Sequence, residues 1–377
     1  MKIPHDDMLM KLDMLVTGAA LGVLLLRRKL RIPLPVLILG AAAAFVCART
    51  LMAGKSLKPV IMAFTPTLFM CLNLLIARDQ KSFERILKIW CWLLFILLCA
   101  DLATMVLFPS GLYSTEFYTD NWFLGYKTGR MDYTFPLLAM TVYLDIRNNE
   151  KLTKISYIVF FMVLANIARS LATGGTIMIA LFFFMVIMLI RSKDPSNSYS
   201  RGFIALCSRY ELFLIAYAVM FYIMVILPTT PFIQDILVNV LHKSADFSGR
   251  VPIWQHCLSA IKEHLLIGRG FLNSVDYLVI THGYFNPHNT IIAYLLIGGF
   301  TGLGLLAAYF YFPVRSAVMR SEYFVQVFYI YIILLLGLFS AVLCFSPFFF
   351  VLSIIPCCTN NKDNSTALLK KLRLMTK

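Results

Sequence analysis

Charged residues and the common catalytic signatures are scarce in this chain. Only 14% of its 377 residues are Asp, Glu, Lys or Arg, whereas a soluble domain has roughly a quarter. The sequence holds no G-x-x-x-x-G-K-[ST] loop for a nucleotide phosphate, and neither H-E-x-x-H nor D-x-D for a metal. It also lacks a C-x-x-C pair. These absences argue against soluble enzymes and against metal-dependent chemistry on nucleotide sugars, and we expect neither a metal nor a cofactor.

What the chain has instead is apolar residues in long runs. They make up 60% of the sequence, and the mean hydropathy is +0.78. Runs of about 17 to 25 apolar residues cross a bilayer as helices, because every backbone group must be hydrogen-bonded within the segment. The candidate spans are 12–26, 33–51, 59–77, 89–108, 132–146, 155–171, 174–190, 210–228, 289–311, 323–344 and 346–358. The predicted fold is an all-α polytopic membrane protein of about eleven transmembrane helices.

The net charge of +15 fits this topology and does not indicate a nucleic-acid partner. Lys and Arg occur in short clusters between the apolar runs, as in cytoplasmic loops that face anionic lipid. With the N-terminus outside, most of these cations fall on the inside of the membrane. Two long segments, about 109–131 and 229–288, then lie outside.

The second of these outside segments divides the chain. Residues 1–228 would form the N-terminal transmembrane helices, 229–288 the large extracytoplasmic loop, and 289–377 the C-terminal transmembrane helices with a cytoplasmic tail. Within the loop, 251–266 has apolar residues at helical spacing, which predicts a short helix on the membrane surface. Long ordered loops usually carry function, so we expect the chemistry of the protein there.

Arginines on the predicted outer side, together with one histidine, are the candidate site residues. The arginines are Arg130, Arg169, Arg250 and Arg269. Arginine presents a planar, permanently charged fork that suits phosphate oxygens. Each arginine could instead contact a lipid headgroup or pair with an acid such as Asp132, Asp246 or Asp276. For a single arginine, this structural role is favoured over a phosphate site. Several arginines around one histidine indicate a pyrophosphate site.

His288 is that histidine, and it follows Pro287 where the chain re-enters the membrane. A lone histidine at a helix start is more often a structural hydrogen bonder. With a pKa near neutrality, however, it could take a proton from a hydroxyl group. The following span contains Gly298-x-x-x-Gly302, which predicts an ordinary close-packing face between membrane helices.

The order of these residues resembles a known signature. His288 and Asn289, nine residues, then Gly299 and Gly302 read H-N-x9-G-x-x-G. This resembles the motif of the O-antigen ligase and polymerase superfamily, whose members are polytopic glycosyltransferases. Upstream segments are also similar to that family: Gly249–Arg250-x-x-x-Trp254, Gly268–Arg269–Gly270 and Arg169 before Gly174–Gly175. Residues 107–113 and 122–125 are similar to capsule or exopolysaccharide polymerases of Gram-positive bacteria, so the resemblance covers about 107–311.

The resemblance implies a metal-independent glycosyltransferase in the bacterial cytoplasmic membrane, with its active site on the extracytoplasmic face. Its substrate would be an oligosaccharide carried on undecaprenyl pyrophosphate, and a flippase and a chain-length regulator would be candidate partners. His288 would orient or deprotonate the acceptor hydroxyl. By the same resemblance the pyrophosphate would be held by Arg250, with Arg269, Arg169 and Arg130 as further ligands. The residues that support the motif would be Asn289, Gly299, Gly302 and Trp254.

Several functions remain open at this point. The segment 107–113 favours a Wzy-type polymerase that joins repeat units over a ligase that moves a glycan to a terminal acceptor. A lipid-linked oligosaccharide flippase should instead have charged residues along the middle of several spans, and Asp101 is the clearest mid-span charge. A membrane scaffold without catalysis would explain the composition but not the loop motif.

Overall fold

The computed structural model describes residues 32–77, 80–115, 121–169, 173–230, 249–340 and 346–358. The first expected span (12–26), the loop residues 231–248 with Asp246, and the tail from 359 onward lie outside the described residues. Within the described ranges the chain is almost wholly helical, with one short antiparallel hairpin.

Long helices form the part of the chain before the large loop. They are α1 (Leu34–Met52), α2 (Lys58–Ile76), α3 (Gln80–Leu107), α4 (Met131–Asn149), α5 (Lys154–Arg169), α6 (Thr173–Arg191), α7 (Ser198–Cys207) and α8 (Tyr210–Phe221). α8 continues through a π turn (Tyr222–Ile226) and a 3-10 turn (Leu227–Thr229). The hairpin strands β1 (Asn121–Trp122) and β2 (Gly125–Tyr126) precede a 3-10 turn (Lys127–Arg130), and Trp122 lies opposite Gly125.

The second part begins with two short loop helices. The elements are α9 (Arg250–Glu263), α10 (Ser274–Thr281), α11 (Thr290–Val318), a 3-10 turn (Ser321–Tyr323), α12 (Phe324–Gly337), α13 (Pro347–Ser353) and α14 (Ile355–Cys358). α9 corresponds to the helix predicted at 251–266. It begins one residue earlier and ends three residues earlier.

The predicted fold class, an all-α polytopic membrane protein, is confirmed. Five of the described helices are long and apolar enough to cross a membrane, and a sixth span results if α7 and α8, bent by 72°, are taken as one. The predicted number of eleven is not established. α4 is not among the five: it carries Asp132, Asp145 and Arg147, and its residues 134–146 are all buried. α4 is therefore enclosed by other helices and not by lipid.

Aromatic side chains pack α4 against its neighbours. Phe135 of α4 stacks on Tyr329 of α12 with ring centroids 5.1 Å apart, and meets Phe182 of α6 edge to face at 5.1 Å. All three rings are fully buried. Such pairs add to the stability that burial of their area already gives, so the bundle around α4 forms a rigid base for the outer loop.

α11 is interrupted within the membrane-spanning segment, and the large loop fills the interruption. Gly299 has φ 60° and ψ −157°, which no helix accommodates. A break leaves backbone donors and acceptors without intrahelical partners, and buried ones must find others. Here the loop segment 265–270 supplies them. The backbone hydrogen bonds run from Arg269 N to Leu296 O (2.8 Å), Gly270 N to Ile297 O (3.0 Å), Phe300 N to Leu265 O (2.9 Å) and Thr301 N to Leu266 O (3.0 Å).

Only glycine fits at the closest points of this junction. A Cβ atom on Gly268 would lie 2.4 Å from the carbonyl carbon of Ile297, and one on Gly299 would lie 2.4 Å from that of Leu266. Both glycines also have positive φ, a conformation that side chains disfavour. Gly299 therefore has a structural reason to be glycine. A Cβ atom on Gly298 would lie 3.3 Å from the Phe45 ring of α1, in keeping with the predicted close-packing face.

Replacing Gly299 with alanine should destabilise the protein, because the new Cβ would collide with the loop backbone. Positive-φ strain alone costs about 1–3 kcal/mol, so Gly299→Ala should clearly lower the melting temperature of the detergent-purified protein. Gly304→Ala is the matched control, since Gly304 lies in the same helix with no atom within 4 Å of its added Cβ. Equal melting temperatures for the two variants would contradict the junction.

Candidate active site

His288 lies at the end of the large loop, two residues before α11 begins. Its backbone is left-handed, with φ 49°, which costs a non-glycine residue free energy and requires support from its surroundings. Part of that support is local, because its backbone N–H donates to Asn286 Oδ1 at 2.9 Å. The side chain is partly buried. The fold thus holds His288 in a defined position just before α11.

Asn289, the partner of His288 in the H-N motif, has a structural role in the described contacts. It is fully buried and caps α11, because its Oδ1 accepts from Ile292 N at 3.0 Å. Its Nδ2 donates to the backbone carbonyl of Leu338 at 2.9 Å, just past the end of α12. Asn289 therefore fixes where α11 starts and how it meets α12. That in turn sets the position of His288.

Trp254 connects the upstream motif to His288. The indole is buried, and its Nε1 donates to the carbonyl of Pro287 at 3.0 Å. Residues four apart on a helix share a face, so Trp254 and Arg250 lie on the same side of α9. The hydrogen bond to Pro287 therefore brings the face that carries Arg250 toward His288.

Arg250 and His288 interact electrostatically. Burial, and then the positive charge of Arg250, lower the pKa of His288 from 6.5 to about 4. Burial also lowers the pKa of the Arg250 guanidinium. The pKa of His288 is therefore lower than the near-neutral value that the sequence suggested, because burial and Arg250 disfavour the charged ring. His288 is neutral at physiological pH and can accept a hydrogen bond from a hydroxyl group, although its ring is a weaker base than a free imidazole. Arg250 supplies a permanent positive charge beside it.

Tyr284 lies beside Gly249, and the sequence pattern did not predict it. A Cβ atom built on Gly249, the residue before Arg250, would lie 3.5 Å from the Tyr284 hydroxyl. The backbone of Tyr284 is held by Thr281, whose Oγ1 donates to Tyr284 O at 2.6 Å and accepts from its N–H at 2.9 Å. A single tyrosine in a polar loop belongs to no sequence pattern, so only the structure shows that its hydroxyl lies beside Gly249.

Arg269 is not brought to His288. It lies beyond the far end of α9, where its guanidinium pairs with Glu263 and its Nε donates to the Ala260 carbonyl at 3.4 Å. With a rise of 1.5 Å per residue, Arg250 and Glu263 at the two ends of α9 are about 20 Å apart. The predicted set of arginines around one histidine is therefore divided between two places.

Arg130 forms a buried ion pair with Asp101. Both side chains are 0% exposed, and Arg130 Nε lies 2.7 Å from Asp101 Oδ2. Asp101 also accepts from Asn166 Nδ2 at 3.1 Å and from the N–H of Leu124, in the hairpin, at 2.8 Å. These bonds fix the hairpin to α3 and α5. A pyrophosphate-binding role for Arg130 stays a prediction, and its enclosed position does not favour that role.

Arg169 is the last of the candidate arginines. Arg169 is exposed at the end of α5, and the following residues 170–172 lie outside the described ranges.

His256 and His282 of the large loop stack on each other with ring centroids 4.0 Å apart. Across the described parts of the chain, no three His, Cys, Asp or Glu side chains are grouped so that they could hold a metal ion.

The comparisons with known proteins agree with the motif. Residues 155–307 match the family model described as O-antigen ligase. That range runs from α5 to beyond the break in α11, and it includes Arg250, Trp254 and His288. The match confirms the predicted resemblance to the O-antigen ligase and polymerase superfamily. It also supports the expectation of a membrane enzyme that transfers glycans. No curated protein and no solved structure gives a significant match to the chain.

The proximity of Arg250 to His288 predicts how His288 titrates. Its ring should take up a proton near pH 4, and Arg250→Ala should raise that pKa toward 6.5, although incompletely because burial is the larger cause. NMR of ring-labelled histidine in micelles measures this, with His288→Gln to assign the signal. Arg269→Ala, at the other end of α9, should leave the pKa unchanged. A His288 pKa near 6.5 in the unsubstituted protein would contradict the arrangement.

The same pKa shift sets a pH dependence of stability. Because the folded-state pKa of His288 lies below its ordinary value, the unfolded chain binds the proton more readily between pH 6.5 and about 4. The contribution of His288 to stability is therefore complete above pH 6.5 and is lost as the pH falls toward 4. In His288→Gln this part of the acid destabilisation should be absent from thermal unfolding measured across that range.

Proposed function

We propose that the protein is a polysaccharide polymerase that joins oligosaccharide repeat units carried on undecaprenyl pyrophosphate. The observation that carries the proposal is the pairing of neutral His288 with Arg250 where α11 begins, inside the segment that matches the O-antigen ligase family. In this proposal 229–288 is the extracytoplasmic part, and the parts before and after it are the membrane helices. The chain then resides in the bacterial cytoplasmic membrane.

The proposed chemistry needs two groups from the protein. A hydroxyl of the acceptor sugar attacks the anomeric carbon of the donor, and the bond from that carbon to the pyrophosphate oxygen breaks with inversion. His288 accepts a hydrogen bond from the hydroxyl and takes its proton as the new bond forms. Arg250 stabilises the negative charge that develops on the departing pyrophosphate. Arginine can supply this charge without a metal.

An apolar groove beside the site supports a lipid-linked substrate. It has a volume of about 1160 Å³ and lies among α8, α9, α11 and α12. Thr290, two residues after His288, lines one part of it, and the lining is mainly apolar, with side chains such as Phe213, Leu303 and Leu334. A polyprenyl chain in this groove would leave its pyrophosphate near the membrane edge, where His288 and Arg250 lie.

The placement of Asp101 weighs against a flippase. A transport pathway should present charged groups to a polar cavity within the membrane. Asp101, the mid-span acid that the sequence singled out, is instead enclosed and paired with Arg130. Its contacts are those of a structural ion pair.

A ligase that moves a finished glycan to a terminal acceptor is the second candidate. The description of the matched family favours it, and it would use the same His288 and Arg250. The similarity of 107–113 to exopolysaccharide polymerases favours the polymerase. A polymerase would also work with a flippase and a chain-length regulator as partners.

Glycan size in cells lacking the gene tests the proposal. The unsubstituted gene should restore a ladder of polymer lengths, whereas His288→Ala and Arg250→Ala should leave single repeat units on the carrier lipid. Losing a group that transfers a proton lowers a rate about 100-fold or more, so the ladder should be nearly absent on a gel. His256→Ala is the matched control in the same loop, and it should restore the ladder.

The glycan sizes found with the variants distinguish a polymerase from a ligase, provided that blotting shows equal amounts of each protein. A full-length ladder that accumulates on carrier lipid in His288→Ala would identify a ligase. A normal ladder from His288→Ala would contradict any catalytic role for this part of the loop.

A further inference from the structure

A second cationic cavity lies at the far end of α9 from His288. It has a volume of about 450 Å³ and opens between the end of α1, the turn that follows α1, and the loop around α10. Its charged and titratable lining consists of Arg49, Lys55, His264, Arg269 and Asp276. We call it the basic pocket. The proposed glycan transfer at His288 and Arg250 uses none of these residues, and the structure separates Arg269 from His288.

The junction that fills the break in α11 also builds the basic pocket. Arg49 Nε donates to the carbonyl of Gly268 at 2.8 Å, and Thr50 Oγ1 accepts from Phe271 N at 2.9 Å. A Cβ atom on Gly270 would lie 2.9 Å from Thr50 Cα, so the loop and the end of α1 are in close contact. These contacts between the end of α1 and the loop backbone therefore fix the positions of Arg49 and Arg269 relative to each other.

The positive charge of the pocket exceeds what its acids neutralise. Lys55 lies 3.1 Å from Asp276, and Arg269 pairs with Glu263. Arg49 has no acidic partner among the described residues, and its single hydrogen bond there uses Nε. The two terminal amino groups of Arg49 can thus donate to an incoming anion. A guanidinium fork next to a lysine matches the oxygens of a phosphate group.

Apolar side chains surround the opening of the basic pocket. Met52 is 73% exposed at the end of the membrane-spanning helix α1, and Val275 and Val279 of α10 are 67% and 73% exposed. All three line the cavity. At the end of a membrane helix, exposed apolar side chains face lipid chains, while nearby cations attract anionic head groups. A ligand that satisfies both parts has a phosphate joined to an apolar chain.

We propose that the basic pocket binds the phosphate head group of a membrane lipid, whose chain lies against Met52, Val275 and Val279. Two sources share this chemistry: the pyrophosphate of a lipid-linked glycan and the phosphate of an anionic phospholipid. The proposal rests on the cavity and not on catalysis at His288. It also gives Arg269 a ligand away from the proposed reaction centre.

Native mass spectrometry of the full chain in detergent tests the proposal by counting bound lipids. The probes are undecaprenyl pyrophosphate, phosphatidylglycerol, inorganic phosphate and undecaprenol, which has the same chain without phosphate. Arg49→Gln should weaken binding of a phosphate-bearing lipid about tenfold, the effect of losing one charge-assisted contact. Arg250→Ala should retain this binding, which distinguishes the basic pocket from the His288 site. Lys193→Gln, far from the pocket, is the charge control.

The outcomes separate the two sources. Preferred binding of undecaprenyl pyrophosphate would identify a substrate site, and equal binding of phosphatidylglycerol would identify a phospholipid site. Because Arg49 also contacts Gly268, Arg269→Gln gives a second reading if Arg49→Gln lowers the melting temperature. Unchanged lipid binding in both folded variants would overturn the proposal. So would binding of undecaprenol as strong as that of the phosphate-bearing lipids, or displacement of the lipid by an equal concentration of inorganic phosphate.

Discussion

The pairing of the loop segment 265–270 with the break in α11 is the constraint on which the position of the large loop depends. α11 cannot stop being helical at Gly299 inside a membrane protein unless another backbone takes up its hydrogen-bonding groups. The loop does this through Arg269, Gly270 and the carbonyls of Leu265 and Leu266. Since α9 leads directly into this segment, the junction sets where α9 lies. The position of α9 in turn decides what Arg250 and Trp254 can reach.

The charged residues of the protein fall into two groups with different roles. Asp101 and Arg130 form a buried ion pair, and Asp101 also accepts from Leu124 N–H, so the pair holds the hairpin to the helices. Arg250 and Arg49 have no carboxylate partner among the described residues, which leave out 231–248 with Asp246. A guanidinium near the ends of membrane helices attracts anions. The two arginines lie toward opposite ends of α9, so the two proposed phosphate sites are separate.

The sequence predicts the fold class well because apolar length is a direct requirement of the bilayer. The helix predicted at 251–266 is present for a similar reason, since its apolar residues repeat at helical spacing. The predicted number of eleven spans is not established, because α4 carries three charged residues and is enclosed by protein, α5 and α12 are short, and 12–26 lies outside the described residues. Charge alone did not separate Arg250 from Arg269 or Arg130, because all three are arginines on the predicted outer side and only the fold shows which of them approaches His288. Nor did Gly299 reveal a break, because a glycine in an apolar run is also typical of helix packing.

The central claim is that glycan transfer takes place at the His288–Arg250 pair from a lipid-linked donor. The most direct measurement uses the purified protein in lipid nanodiscs with one defined lipid-linked repeat unit and EDTA. Mass spectrometry would follow glycan length and released undecaprenyl pyrophosphate together. We expect one released carrier for each new glycosidic bond, and neither product when His288 is replaced. Carrier release without longer glycans, or longer glycans from the variant that lacks His288, would contradict it.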